Sequence, residues 1–257
     1  MNRIEKLFSK KKQNILSVYF TAGYPGKDST VTIIKALANA GVDMIEIGMP
    51  FSDPLADGKV IQESSQVALK NGMSLKLLFE QLHDIRNEVE IPLLLMGYLN
   101  PVLRYGMEAF LEKTFITGID GTILPDMPLK EYRLHYKSMY EKFNLCNIFL
   151  ATPYTSPERL KAYDDTGSGF LYIVSTASTT GTKAATFTEN QLFFNNLKKM
   201  NLKNPLMIGF GIKDKTSFNE ACRFANGAIV GTAFINCLKG EGNIQSKVQT
   251  FIENMKA

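Results

Sequence analysis

Asp43-Met44-Ile45-Glu46-Ile47-Gly48-Met49-Pro50-Phe51-Ser52-Asp53-Pro54-Leu55-Ala56-Asp57-Gly58 is the stretch from which the rest of the chain can be read. Its first half alternates as a strand does, with Ile45 and Ile47 on one side and Met44, Glu46 and Gly48 on the other. A carboxylate in the middle of so apolar a strand carries a desolvation cost that a purely structural residue avoids. Pro50 and Pro54 then fix φ and stiffen a loop that delivers a second carboxylate, Asp57, beside Gly58, which adds no side-chain bulk. One acid on a rigid strand and one just past its C-terminal end form a candidate general acid/base pair. Plainer roles stay open for each: Glu46 can pair with a Lys or Arg of a neighbouring strand, and Asp57 can cap a helix expected from about Val60. Asp53-Pro54 reads as a turn only.

Working outward, strand-like runs recur at Leu16–Thr21, Met44–Ile47, Leu93–Met96, Gly121–Leu124, Asn147–Ala151, Phe170–Val174, Leu206–Ile208 and Ala228–Val230. Amphipathic stretches separate them: Val31–Ala40, Leu75–Glu88, Met107–Lys113, Lys130–Phe143, Pro157–Asp164, Glu189–Met200 and Ser217–Phe224, with a closing helix near Asn243–Met255. Eight strands alternating with helices, and no break long enough for a linker, predict an α/β fold, a single (β/α)8 TIM barrel over residues 1–257. An Ile4, Leu7, Phe8 stripe ahead of the solvated Lys10-Lys11-Lys12 triplet predicts an extra N-terminal helix. A doubly wound open sheet is the alternative. A small repeat supports the alternation, since Gly41-Val42-Asp43, Gly118-Ile119-Asp120 and Asn226-Gly227-Ala228 each end a helix and open a strand.

Composition narrows the function classes. The 257 residues are 45% hydrophobic and 21% charged with a net charge of +4, ordinary values for a globular protein. No stripe of basic and aromatic residues points to nucleic acid. The first 15 residues carry charges and no apolar core segment, so no signal peptide is expected. The longest apolar run, Leu93–Met96 preceded by Ile91-Pro92, is far too short to span a bilayer, and a cytoplasmic location is expected. Cys146, Cys222 and Cys237, widely separated and accompanied only by His83 and His135, make neither a disulfide framework nor a metal site.

In such barrels the chemistry sits on the loops that follow the strands. Besides Glu46 and Asp57, those loops carry Thr21-Ala22-Gly23, Gly97-Tyr98-Leu99-Asn100-Pro101, Asp126-Met127-Pro128 and Thr152-Pro153-Tyr154. A hydroxyl-rich segment from Ser175 to Thr182 follows the sixth expected strand. Gly209-Phe210-Gly211 and Gly231-Thr232 follow the last two, where glycines let backbone N–H groups approach a phosphate. Phe210, Tyr19, Tyr98 and Tyr172 fall at or near strand ends, where they can wall a flat aromatic substrate or simply pack in the core.

The run Glu46–Gly58 resembles the signature of the tryptophan synthase alpha subunit family nearly letter for letter. The likeness extends over essentially the whole chain, through Thr21-Ala22-Gly23-Tyr24-Pro25-Gly26, Asn100-Pro101, Asp126-Met127-Pro128, Gly209-Phe210-Gly211-Ile212 and Gly231-Thr232. The resemblance implies a lyase that splits indole-3-glycerol phosphate into indole and glyceraldehyde 3-phosphate in tryptophan biosynthesis. It implies that Glu46 protonates indole C3 and takes the glycerol hydroxyl proton, while Asp57 faces the indole N–H. It places Gly181, Gly209, Gly211, Gly231 and Thr232 around the phosphate, and Tyr19, Ile61, Tyr98, Tyr172 and Phe210 along the indole. Thr180 matches the family's mobile-loop threonine. The resemblance also implies no cofactor or metal in this chain, the pyridoxal phosphate belonging to a partner beta subunit in an α2β2 complex. One departure stands out: many members carry Arg and Gly where this chain reads Thr176-Ala177-Ser178-Thr179. Two alternatives are another phosphate-binding barrel enzyme acting on an indole or sugar phosphate, and a non-catalytic regulatory subunit that kept the fold.

Overall fold

The computed structural model describes residues 1–54, 56–174 and 190–256. Among the described residues nine parallel strands are present: β1 Ile15–Thr21, β2 Met44–Gly48, β3 Leu93–Met96, β4 Gly121–Ile123, β5 Cys146–Ile148, β6 Leu150–Ala151, β7 Leu171–Val174, β8 Leu206–Gly209 and β9 Gly227–Val230. They pair in the order β5-β4-β3-β2-β1-β9-β8-β7-β6. Because β5 and β6 are successive in the chain, the two ends of the sheet meet at Phe149, whose carbonyl accepts from Tyr172 N at 3.0 Å. The sheet therefore all but closes into a barrel with helices outside it, and the TIM-barrel expectation holds over the open-sheet alternative. The expected strand Asn147–Ala151 is two short pieces because its first part pairs with β4 and its second with β7.

Two layers of apolar packing follow from the period-two alternation of strands buried on both faces. Ile45 and Ile47 of β2 point outward and join the layer beneath the helices. Met44, Leu94, Ile123, Ile148, Met207 and Ile229 fill the barrel's interior. The N-terminal helix Arg3–Lys10 plugs the barrel's N-terminal end with Ile4 and Phe8, which join the interior cluster and bury about 1.5–3 kcal/mol of side chain each. Phe8 meets the ring of Phe170 at 6.0 Å between centroids. Asn2 caps this helix and reaches across with its amide to the carbonyls of Asp120 and Asn144, at 2.7 and 2.9 Å.

The small repeat has a shared mechanical role at that same end. Asp43 accepts from Leu16 N, Asp120 from Leu93 N, and the Asn226 amide oxygen from Leu206 N, each at 2.8–2.9 Å. Each polar side chain thus satisfies an N–H at the start of the neighbouring strand. Gly41 and Gly118 take the expected left-handed conformation, with φ of 77° and 74°. Gly227 does not; it lies within β9, where a Cβ would strike Ile15 of β1.

Helix positions also refine the sequence reading. A helix Leu99–Tyr105, not anticipated, follows β3 and tolerates Pro101 because a proline in a first helical turn removes no needed donor. The expected helix Lys130–Phe143 contains a π-helical turn, Tyr132–Tyr136. The expected Leu75–Glu88 ends at Leu82 and continues as a short 3₁₀ turn, Ile85–Asn87.

Candidate active site

Glu46 lies at the centre of β2, wholly buried, and faces the barrel interior beside Tyr19 of β1, with which it is in register. Its partner among the described residues is not a cation. Ser17, also wholly buried, donates its hydroxyl to Glu46 Oε1 at 2.9 Å, and Oε2 has no partner among the described residues. Among the described residues, Glu46 is therefore not half of an ion pair. Burial pushes its carboxyl up to about 8, against the opposing pull of the Ser17 hydrogen bond.

Asp57 sits on the loop after β2. The following helix, Lys59–Lys70, has Gly58 at its N-cap with no side-chain capping bond, so Asp57 does not spend its carboxylate on a cap. The loop is shaped instead by backbone, with Asp57 N donating to Pro54 O at 3.1 Å and Gln62 Nε2 donating to Asp57 O at 2.7 Å. Burial raises the Asp57 carboxyl to about 6, with the Tyr98 hydroxyl bond working the other way. Tyr98 also accepts from Ala56 N at 3.1 Å and packs against Phe51 at 5.2 Å between ring centroids. One tyrosine thus fastens the loop at three points.

Two further tyrosines feel the charge of both carboxylates. Burial raises the hydroxyls of both Tyr19 and Tyr172, and the charges of Asp57 and Glu46 each add to the effect on both. Their rings need room. A Cβ on Gly48 would run into Tyr19, and one on Gly209 would run into Tyr172. Gly209, expected among the phosphate glycines, therefore already serves to admit the Tyr172 ring at the end of β8. Phe210 follows with φ of 70°, unusual for a bulky residue, and meets Tyr172 edge-on at 6.5 Å. Gly211 continues with φ of 77°, a conformation that favours glycine. Gly231 stands at the start of the helix Thr232–Cys237, with Tyr19 Cδ1 at 3.3 Å from where its Cβ would lie.

The structure thus gathers Glu46, Asp57, Tyr19, Tyr98 and Tyr172 around the strand ends, with Phe210 against Tyr172. Ile61 lies on the helix Lys59–Lys70, partly buried against the outer apolar layer. Thr180, Gly181 and the atypical Thr176–Thr179 segment lie outside the described residues. Ser17 was not anticipated from sequence. Its parity was the available signal, two residues before Tyr19 on the inward face of β1. A cleft of about 500 Å³ at the opposite end of the barrel, lined by Arg3, Lys6, Arg86 and Glu90 among others, offers no comparable chemistry. Arg86 there is already committed to the carbonyls of Gly118, Val89 and Ile91 and to Asp120.

Comparison with known proteins gives a consistent result. Residues 5–257 match the family model described as tryptophan synthase alpha chain. The tryptophan synthase alpha chain of Flavobacterium johnsoniae is 49% identical over 256 residues, covering 100% of both chains. Tryptophan synthase subunit alpha from Legionella pneumophila superposes with a TM-score of 0.90 at 34% identity, covering 100% of this chain and 97% of that one. An aminoacrylate-bound tryptophan synthase from M. tuberculosis gives 0.86 at 28% identity, covering 99% and 98%.

Proposed function

This chain belongs to the tryptophan synthase alpha chain family, whose role is the cleavage of indole-3-glycerol phosphate, and on that premise we propose that Glu46 and Asp57 carry the reaction between them. The observation that supports this most is the separation of their proton affinities. With Glu46 at about 8 and Asp57 at about 6, the first holds its proton at neutral pH while the second is ionised. A retro-aldol cleavage needs both states. Glu46 delivers its proton to indole C3, leaving positive charge at the ring nitrogen. Asp57, ionised, accepts the indole N–H and stabilises that charge. The glycerol hydroxyl then gives its proton to the Glu46 carboxylate as the carbon–carbon bond breaks. The bonding pair returns to the ring, indole leaves, and the aldehyde carbonyl forms. Proton count is conserved and Glu46 ends as it began, so these two side chains supply the proton handling without a cofactor in the chain. Incubating the purified chain with indole-3-glycerol phosphate should release indole. No indole, with or without a partner, would favour the non-catalytic reading.

For the rest of the substrate we propose that Tyr19, Ile61, Tyr98, Tyr172 and Phe210 border the indole. The phosphate is assigned to backbone N–H groups at Gly211, Gly231 and Thr232, with Gly209 and Gly181 included on the family resemblance. Gly211→Val is expected to weaken binding of glycerol 3-phosphate more than tenfold, because a branched residue disfavours φ near 77° and its bulk takes the space of the anion. Calorimetry measures it, and unchanged affinity would move the phosphate site elsewhere.

We propose further that the partner is a pyridoxal-dependent beta subunit, in an α2β2 arrangement. Leu103, Leu134 and Tyr154, which lie on segments following β3, β4 and β6, are apolar side chains exposed by 47%, 63% and 84%. Tyr98 links the helix Leu99–Tyr105 to Asp57, and Leu99 N donates to Asp126 at 2.9 Å, so pressure on Asn100-Pro101 reaches the catalytic loop. Titrating the beta subunit of the same source into the cleavage assay should raise indole formation several-fold. A flat response, with no complex on gel filtration, would leave a free-standing lyase.

A further inference from the structure

The carboxyl of Glu46 is held asymmetrically, and the asymmetry has a chemical meaning. Ser17 precedes Tyr19 by two residues on the inward face of β1, and so approaches Glu46 from the layer nearer the barrel's N-terminal end. Its hydroxyl is wholly buried and donates to Oε1 alone, at 2.9 Å. Oε2 is equally out of contact with solvent and has no partner among the described residues. In a neutral carboxylic acid one oxygen is a carbonyl acceptor and the other carries the proton. An oxygen that accepts a hydrogen bond from a fixed donor is the better carbonyl.

We infer that Ser17 is a positioning residue that selects which oxygen of Glu46 carries the transferable proton: donation to Oε1 makes Oε1 the carbonyl oxygen and leaves the proton on Oε2. This rests on the proposed acid role of Glu46 and refines it. The proton given to indole C3 leaves from Oε2, the atom left uncommitted, and the glycerol hydroxyl proton returns there. Ser17 touches neither substrate nor reacting atoms. It acts through Glu46, on the rotamer of the carboxyl and on the ease of ionisation. The other groups facing Glu46 are Tyr19 from β1 and Tyr172 from β7, with Asp57 reaching the same two tyrosines from its loop. None of these is a cation, so Ser17 is the one described neighbour whose hydrogen bond favours the carboxylate.

Ser17→Ala, Ser17→Thr and Glu46→Gln, each in the full-length chain, test the inference. Ala loses the donor without adding bulk. Its kcat for indole release is expected to fall roughly tenfold with KM within twofold of wild type. The alkaline limb of its kcat/KM profile should move to higher pH, because the group that favours ionised Glu46 is gone. Thr keeps the hydroxyl and should recover most of the rate and return the limb. Ser17→Cys, close in volume and a weak donor, should show the same limb displacement as Ala and serves if the Thr methyl does not fit. A wild-type kcat and an unmoved limb in Ala overturn the inference. So does a fall in kcat with an unmoved limb, which is the mark of packing alone. Glu46→Gln separates the two layers: if it keeps its turnover, the acid role of Glu46 fails. If it is dead while Ser17→Ala behaves as wild type, only the role of Ser17 fails.

Discussion

Glu46→Gln is expected to lower kcat for indole release by roughly a thousandfold or more, within the range that a positioned acid contributes. The amide has the shape of the acid and no proton to give. KM should change little, since Glu46 meets the substrate chiefly through the proton it transfers. Loss of rate with a wild-type fold is the expected pattern, and stability supplies the control. Burial raises the Glu46 carboxyl from its ordinary 4.5 to about 8, so the folded state holds a proton that the unfolded chain releases above pH 4.5. Stability from this group is complete below that pH and is lost progressively as pH rises toward 8. The glutamine variant escapes that loss. At pH 8 its thermal midpoint should equal or exceed that of wild type, while its activity is gone. The wild-type rate should be bell-shaped, falling below about pH 6 as Asp57 takes up a proton and above about pH 8 as Glu46 loses its own. Near wild-type turnover in Glu46→Gln would remove the chemistry from this residue.

Asp57→Ala is expected to cost between about a hundredfold and a thousandfold in kcat, the size of effect seen when a preorganised charge-stabilising group is removed. Asp57→Asn should be milder, because its amide oxygen still accepts from the indole N–H although it bears no charge. The loop should survive either change: the bond from the Asp57 side chain to Tyr98 is lost or weakened, but the main-chain N–H and C=O of Asp57 and the bond from Ala56 N to Tyr98 remain. The thermal midpoint should also hold, because the helix that follows draws no side-chain cap from this position. A drop of several degrees with little loss of rate would return Asp57 to a structural role.

The fold was legible in the sequence because strands buried on both sides declare themselves as short apolar runs, and because the helices between them keep an apolar stripe. Glu46 was legible for the opposite reason, being a charge where the pattern forbids one. Other features left no such trace. Phe149 continues the alternation of its neighbours, so nothing local shows that the strand there changes partners. The π turn at Tyr132–Tyr136 inserts into a run whose stripe reads as an ordinary helix. Ser17 is a small polar residue of a kind often buried without consequence, and its importance depends on which residue stands beside it across the sheet. Gly209 was read for what it lets in from outside, whereas in the fold it also makes room for Tyr172. Sequence reports what a residue is; these cases turn on what lies opposite.

The plug at the barrel's base has a consequence for how the chain is made. The helix Arg3–Lys10 leaves the ribosome before the segments that house it, because its berth is built from Gly118, Asp120, Asn144 and Phe170. Its neighbour β1 must also wait for β9, near the other end of the chain, before its second edge is covered. During synthesis a half-grown chain therefore carries an apolar helix and an open strand edge with nowhere to dock, a state inviting association with other nascent chains. The charges that flank the plug, Glu5 and Lys6 within it and Lys10-Lys11-Lys12 at its end, then act as solubilising guards on a segment that has to stay unattached while more than a hundred residues follow.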